Sequence, residues 1–148
     1  QIELTRLAGS LHDLGKLAIP EEILRKPGPL TPPERLVLER HSQIGYRMLE
    51  SLEVDPVADW VLHHHERWDG TGYPNGLAGE EIPLGARIIF VADAYDAMTS
   101  DRAYRGRLTP QEAVAELERC AGTQFDPEIV SVFARELGYA PATVAAAR

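Results

Sequence analysis

The stretch TPPERLVLERHSQIGYRMLES, residues 31–51, decides the fold class. Thr31 and Glu34 stand at capping-box spacing with Pro32 in the first turn, so a helix opens here. Val37, His41, Ile44 and Met48 then fall at i, i+4, i+7 and i+11, one stripe of an α-helix. His41 therefore lies on the face that a bundle buries. The same punctuation recurs outward from this stretch. Upstream, Leu4, Leu7, Leu11 and Leu14 repeat at helical spacing over 2–14, and Gly15 ends that run. Pro20 to Arg25 reads as a short helix, and Lys26 to Leu30 as a loop. Downstream, Asp55-Pro56 reads as the cap of a helix reaching about His65. Residues 66–83 hold four glycines and two prolines, a long loop of the kind that tends to carry function. A helix follows from about Leu84 to Thr99. Thr109-Pro110-Gln111-Glu112 is a second capping box, opening a helix to about Ala121. Asp126-Pro127-Glu128 opens the last helix, which Gly138 stops. There is no alternating strand pattern and no internal repeat. The class is all-α, a compact helical bundle of about six helices.

The 148 residues suffice for one domain, with 44% hydrophobic and 26% charged residues. The domain is expected over 1–139, with a C-terminal tail over 140–148. No stretch approaches the roughly 20 apolar residues of a membrane helix, and Asp93 and Asp96 break the best candidate, Ala86 to Ala97. No secretory signal pattern is present. The single Cys120 excludes an internal disulfide and a cysteine-based zinc site. A cytoplasmic setting is the expectation. The net charge of −8 argues against DNA or RNA as a partner. The chain opens with Gln1 inside a helical pattern, which suggests that one or more N-terminal helices precede it.

All five histidines lie between positions 12 and 65: His12, His41, His63, His64 and His65. In the later helix Ala86, Ile89, Phe90, Asp93 and Ala97 form an apolar stripe with a carboxylate in its middle. A buried carboxylate needs a cation or a metal. An ion pair with Arg87 or Arg102 is the plain alternative. With His12-Asp13 and the histidine run for company, His41 and Asp93 suggest a mixed N/O site suited to divalent Fe, Mn, Zn or Ni. Adjacent helical residues point about 100° apart, so His63, His64 and His65 cannot all face one metal.

His12-Asp13-Leu14-Gly15-Lys16 resembles the HD signature of metal-dependent phosphohydrolases. His64-His65-Glu66-Arg67-Trp68-Asp69-Gly70-Thr71-Gly72-Tyr73-Pro74 resembles the HHExxDGxGYP signature of the HD-GYP subfamily, and Ala92 to Arg102 resembles the block that follows it there. The resemblance runs from about Leu11 to Phe133. It implies an HD-type all-α fold and a metal-dependent phosphodiesterase hydrolysing cyclic di-GMP to pGpG and, in some members, GMP. It implies two or three divalent metal ions, usually Fe or Mn, with His12, Asp13, His41, His64, His65 and Asp93 as ligands and Asp13 bridging two of them. Asp13 and Lys16 would be catalytic. Lys16, Arg102 and Arg105 would contact phosphate, and Tyr73 would lie over the site.

His63 has no counterpart in the signature, and its loss should be nearly silent. Gly70 and Gly72 should take backbone angles closed to other residues, with Tyr73 either brought to the rim of the site or packed on Trp68. The family normally supplies a further His, and in three-metal members a Glu, from a helix upstream, whereas no His precedes His12 here. Two other readings stay open: a hydrolase of another nucleotide or cyclic dinucleotide, and a non-catalytic output domain. In the latter the Gly-Tyr-Pro loop would bind a diguanylate cyclase domain. An upstream sensory or receiver domain is the expected regulator. No membrane contact is expected.

Overall fold

The computed structural model describes residues 2–101 and 106–139. Seven α-helices run in order among the described residues: α1 (Ile2–Leu11), α2 (Glu21–Leu24), α3 (Pro32–Glu50), α4 (Val57–His63), α5 (Leu84–Thr99), α6 (Pro110–Arg119) and α7 (Pro127–Glu136). Short 3-10 turns lie at Leu14–Ala18 and Gly79–Glu81. The all-α reading holds. The short helix expected over Pro20 to Arg25 is the single-turn α2, and the helices number seven where about six were expected.

Helix starts follow the predicted chemistry. Glu34 accepts the Thr31 backbone N–H at 2.7 Å, and Glu112 accepts that of Thr109 at 2.8 Å. Asp126 accepts from the N–H groups of Glu128 and Ile129. Such caps satisfy amide donors that the helix itself leaves unpaired. Two boundaries differ from the expectation. Pro56, not Asp55, is the N-cap of α4, and α4 ends at His63. The leucine run of 2–14 is also not one helix. It breaks after Leu11, and Leu14 resumes in the 3-10 turn.

That break has a steric cause. The 3-10 turn lies across α3, and Gly15 sits so close that a Cβ on it would lie 1.9 Å from the His41 carbonyl oxygen and 2.7 Å from the Gly45 nitrogen. Gly15 thus serves close approach rather than chain termination. It brings the His12-Asp13 corner against the turn of α3 that carries His41.

The core has two parts joined by α5. Ala8, Leu49, Val57, Ala58, Val61 and Ile89 pack α1, α3 and α4 against one side of α5. Val91, Leu117, Phe125 and Val130 pack α6 and α7 against the other. A helix buried on two sides is apolar around most of its circumference. Asp93 is therefore conspicuous on it.

Gly15→Ala should destabilise the fold by about 1–3 kcal/mol, because neither clashing atom is a movable side chain. A methyl group added at Gly9 in α1 would meet no atom within 4 Å. Gly9→Ala should therefore be neutral, or stabilising by up to about 1 kcal/mol. Urea unfolding of the two variants beside the parent checks the contrast.

Candidate metal centre

The His12-Asp13 corner, α3, the end of α4 and α5 deliver six side chains to one place. His12 Nε2 lies 3.5 Å from Asp93 Oδ1 and 3.6 Å from Asp13 Oδ2. His41 Nε2 lies 3.9 Å from Asp13 Oδ1 and 3.4 Å from His64 Nε2. Donor atoms of His41, His64 and His65 all fall within 4.8 Å of one another. The rings of His12 and His64 are 5.2 Å apart, and those of His64 and His65 4.0 Å. All six residues that the motifs single out as ligands are thus neighbours in space.

Three of the imidazoles are oriented in the same way. His12, His41 and His64 each donate Nδ1–H to the backbone carbonyl three residues earlier: Gly9, Leu38 and Val61, at 2.7, 2.7 and 2.6 Å. A carbonyl only accepts, so the proton is on Nδ1 and a neutral ring presents a lone pair at Nε2. Those lone pairs face acceptors. His41 Nε2 points at His64 Nε2, whereas the buried His12 Nε2 faces the Asp13 and Asp93 carboxylates, which favour a proton or a metal ion there. Acceptor facing acceptor is repulsive unless a cation lies between. The donor set is nitrogen and oxygen without thiolate, which suits a divalent metal.

Charge states follow the same geometry. The Asp93 carboxylate is the main influence raising the His12 pKa, and His12 in turn holds Asp93 below the usual carboxylate range. Burial lowers His41 and His65, and takes His64 down to about 4. His41, His64 and His65 are therefore neutral at pH 7 and need lose no proton to bind a metal. Lys16 Nζ lies 2.7 Å from Asp13 and neutralises it.

Asp93 does not pair with Arg87, which binds Asp126 at 2.7 Å instead. Arg102 and Arg105, expected at the phosphate, lie outside the described residues. Tyr73 stacks on His65 at 5.0 Å, not on Trp68. Burial, followed by the charges of Glu39, Asp13 and Asp93, raises its pKa, so the phenol stays protonated.

The 66–79 loop is held by residues whose role the motifs do not announce. Glu66 is only 2% exposed, and its carboxylate accepts from three backbone N–H groups: Asn75 at 2.7 Å, Gly76 at 3.1 Å and Leu77 at 3.2 Å. A signal existed, since Glu66 sits inside the signature and next to the histidine pair. His63 is buried as well. Its Nδ1–H donates to the Asp59 carbonyl, and its Nε2 accepts from Asn75. Both ring nitrogens are used, so His63 is no ligand, but the expectation of a silent substitution is corrected: it pins the loop. Gly70 has the positive φ expected of it, +76°, whereas Gly72 does not. A Cβ at Gly72 would lie 2.3 Å from the Arg67 nitrogen, so close approach is what requires glycine there. Gly72→Val would break the loop itself and cannot separate function from structure.

An HD domain family model matches residues 1–129. The chain belongs to the HD domain family. A cyclic di-GMP phosphodiesterase of Pseudomonas aeruginosa is 50% identical over 137 residues, covering 91% of this chain and 33% of that protein. A 3'3'-cGAMP-specific phosphodiesterase of Vibrio cholerae is 46% identical over 109 residues, covering 73% of this chain and 25% of that protein. The HDG"Y"P protein of Bdellovibrio bacteriovorus superposes with a TM-score of 0.70 at 20% identity, covering 91% of this chain and 43% of that one, a likeness of fold. This HD domain chain spans about a third of the length of the curated relatives it matches first. The resemblance carried by the three motifs stands. No described helix of this HD domain is long and apolar enough to cross a membrane.

The metal-free domain should lose stability as pH falls. A buried His with a lowered pKa stays neutral while the unfolded chain takes up a proton below about pH 6.5, and each tenfold difference in proton affinity is worth about 1.4 kcal/mol. For His64 the window runs from about 6.5 down to about 4. His12, raised, opposes this but is one ring against His41, His64 and His65. Denaturant unfolding at pH 7.5, 6 and 5 with chelator present checks the slope. A second expectation concerns the loop. Glu66→Gln turns an amide NH2 toward backbone N–H groups and should cost about 1–3 kcal/mol.

Proposed function

We propose that this chain is a metal-dependent phosphodiesterase that hydrolyses cyclic di-GMP to pGpG in bacterial second-messenger signalling. The observation that carries the reading is the facing of imidazole lone pairs, His41 Nε2 toward His64 Nε2, beside a His12 Nε2 set between Asp13 and Asp93. His12, Asp13, His41, His64, His65 and Asp93 would hold two or three divalent ions, of which Fe or Mn suits the donors, with Zn and Ni as alternatives. Bound there, such ions polarise a phosphodiester oxygen and lower the pKa of a water. The named relatives support the substrate class.

The chain's own residues supply the rest. Asp13 stands between the His12 side of the cluster and His41, the place of a bridging ligand. Lys16, on the adjacent turn, holds Asp13 by an ion pair. Lys16 would supply positive charge to the diester phosphate, with Arg102 and Arg105 as further phosphate contacts. Tyr73, protonated and packed on His65, offers a hydroxyl donor and a ring face at the rim. Asp13 and Lys16 are the residues assigned to catalysis.

The 3'3'-cGAMP-specific relative favours a second reading, that a mixed cyclic dinucleotide is the substrate. The setting is cytoplasmic, where such messengers act. In this proposal an upstream sensory or receiver domain would regulate the chain, and a diguanylate cyclase domain is a candidate partner at the Gly-Tyr-Pro loop.

Asp13→Ala should remove bound metal and lower pGpG release by at least about 100-fold, since imidazoles cannot replace a bridging negative charge. Far-ultraviolet circular dichroism should retain the helical signal. Metal analysis and product chromatography on the same preparations read both effects. Full activity in this variant would refute the assignment.

A further inference from the structure

The rim of the metal centre continues into a groove between α3 and the signature loop. It is an open surface groove of about 170 Å³, lined by Leu36, Glu39, Arg40, Gln43, Tyr73 and Pro74. The four α3 residues stand at i, i+3, i+4 and i+7, one stripe of the helix. Glu39 is half-buried and its charge acts on Tyr73, while Arg40 and Gln43 are exposed. Three polar side chains thus share a groove with an aromatic ring that also packs on His65. Tyr73 borders the groove on one side and packs on His65 on the other.

We infer that this groove is the subsite for one guanine base of the dinucleotide, with Glu39 and Arg40 reading it and Tyr73 bordering its plane. The inference rests on the phosphodiesterase reading for its ligand. Guanine carries N–H donors at N1 and N2 and acceptors at O6 and N7. A carboxylate accepts from the first pair, and a guanidinium donates to the second. Adenine reverses the match, placing its N1 lone pair against the carboxylate and its N6–H donors against the guanidinium. Glu39 and Arg40 both line the groove, the first supplying the acceptor and the second the donors. Gln43, with both, tolerates either base and adds affinity without choice. Splayed bases are read in this way, by edge hydrogen bonds beside an aromatic face.

Equilibrium binding to the metal-loaded chain tests the inference, with hydrolysis-resistant phosphorothioate analogues of cyclic di-GMP and cyclic di-AMP as probes. The parent should prefer cyclic di-GMP by about tenfold or more, the range of one good edge contact. Glu39→Gln should weaken cyclic di-GMP about tenfold and leave cyclic di-AMP equal or tighter. Arg40→Ala should reduce the same preference. Equal loss of both ligands, or no loss of either, overturns the subsite. The underlying reading has its own readout, parent hydrolysis of bis(p-nitrophenyl) phosphate, a diester without bases. Hydrolysis with no base preference sinks the subsite alone. Base preference without hydrolysis sinks the catalytic reading and leaves the subsite standing.

Discussion

His41 and His64 approach through the two nitrogens that neither has used for hydrogen bonding, 3.4 Å apart and out of water. Each ring is locked by a bond from its other nitrogen to its own helix turn. Neither can rotate away cheaply, and burial keeps both from resolving the conflict by taking up a proton. A fold that sets two buried residues in mutual repulsion is arranged around a cation. Much else follows from this pair. Gly15 brings Asp13 within reach of His41, and the end of α4 turns His64 and His65 inward. The loop that begins one residue later closes the rim.

The division of labour among the three consecutive histidines is a matter of helix geometry. At the last residue of α4 and the two beyond it, three successive directions are available. One serves the loop through Asn75, and two serve the cluster. His63 and Glu66 flank the pair and tie down the same segment from both sides. Outer partners of this kind fix the orientation of inner groups and are as consequential as the ligands themselves.

Helix starts were legible in the sequence because their signals are local: Thr31 with Glu34, Thr109 with Glu112, and Asp126 before Pro127. The buried face of α3 was legible from period alone. What escaped depended on contacts distant in sequence. The interruption of the leucine run after Leu11 is set by the backbone of α3, some 30 residues on. The need for glycine at position 72 comes from the backbone of residues 65–67 rather than from its own angles. Asp55 looked like a cap by residue type, yet the chain begins α4 one residue later. Glu66 was in view but silent, because a carboxylate that only serves backbone amides leaves no pattern of spacing.

Trp68 and Asp69 donate their backbone N–H groups to the carbonyls of Gln124 and Thr123, and Arg87 lies over Trp68 while bound to Asp126. The signature loop therefore borrows its outer wall from the turn between α6 and α7. On a ribosome that wall arrives late, since every ligand through Asp93 has emerged well before residue 126. The nascent chain carries its histidines before it carries the turn that backs the loop beside them, so the α6–α7 turn belongs to the support of the centre rather than being an appendage to it.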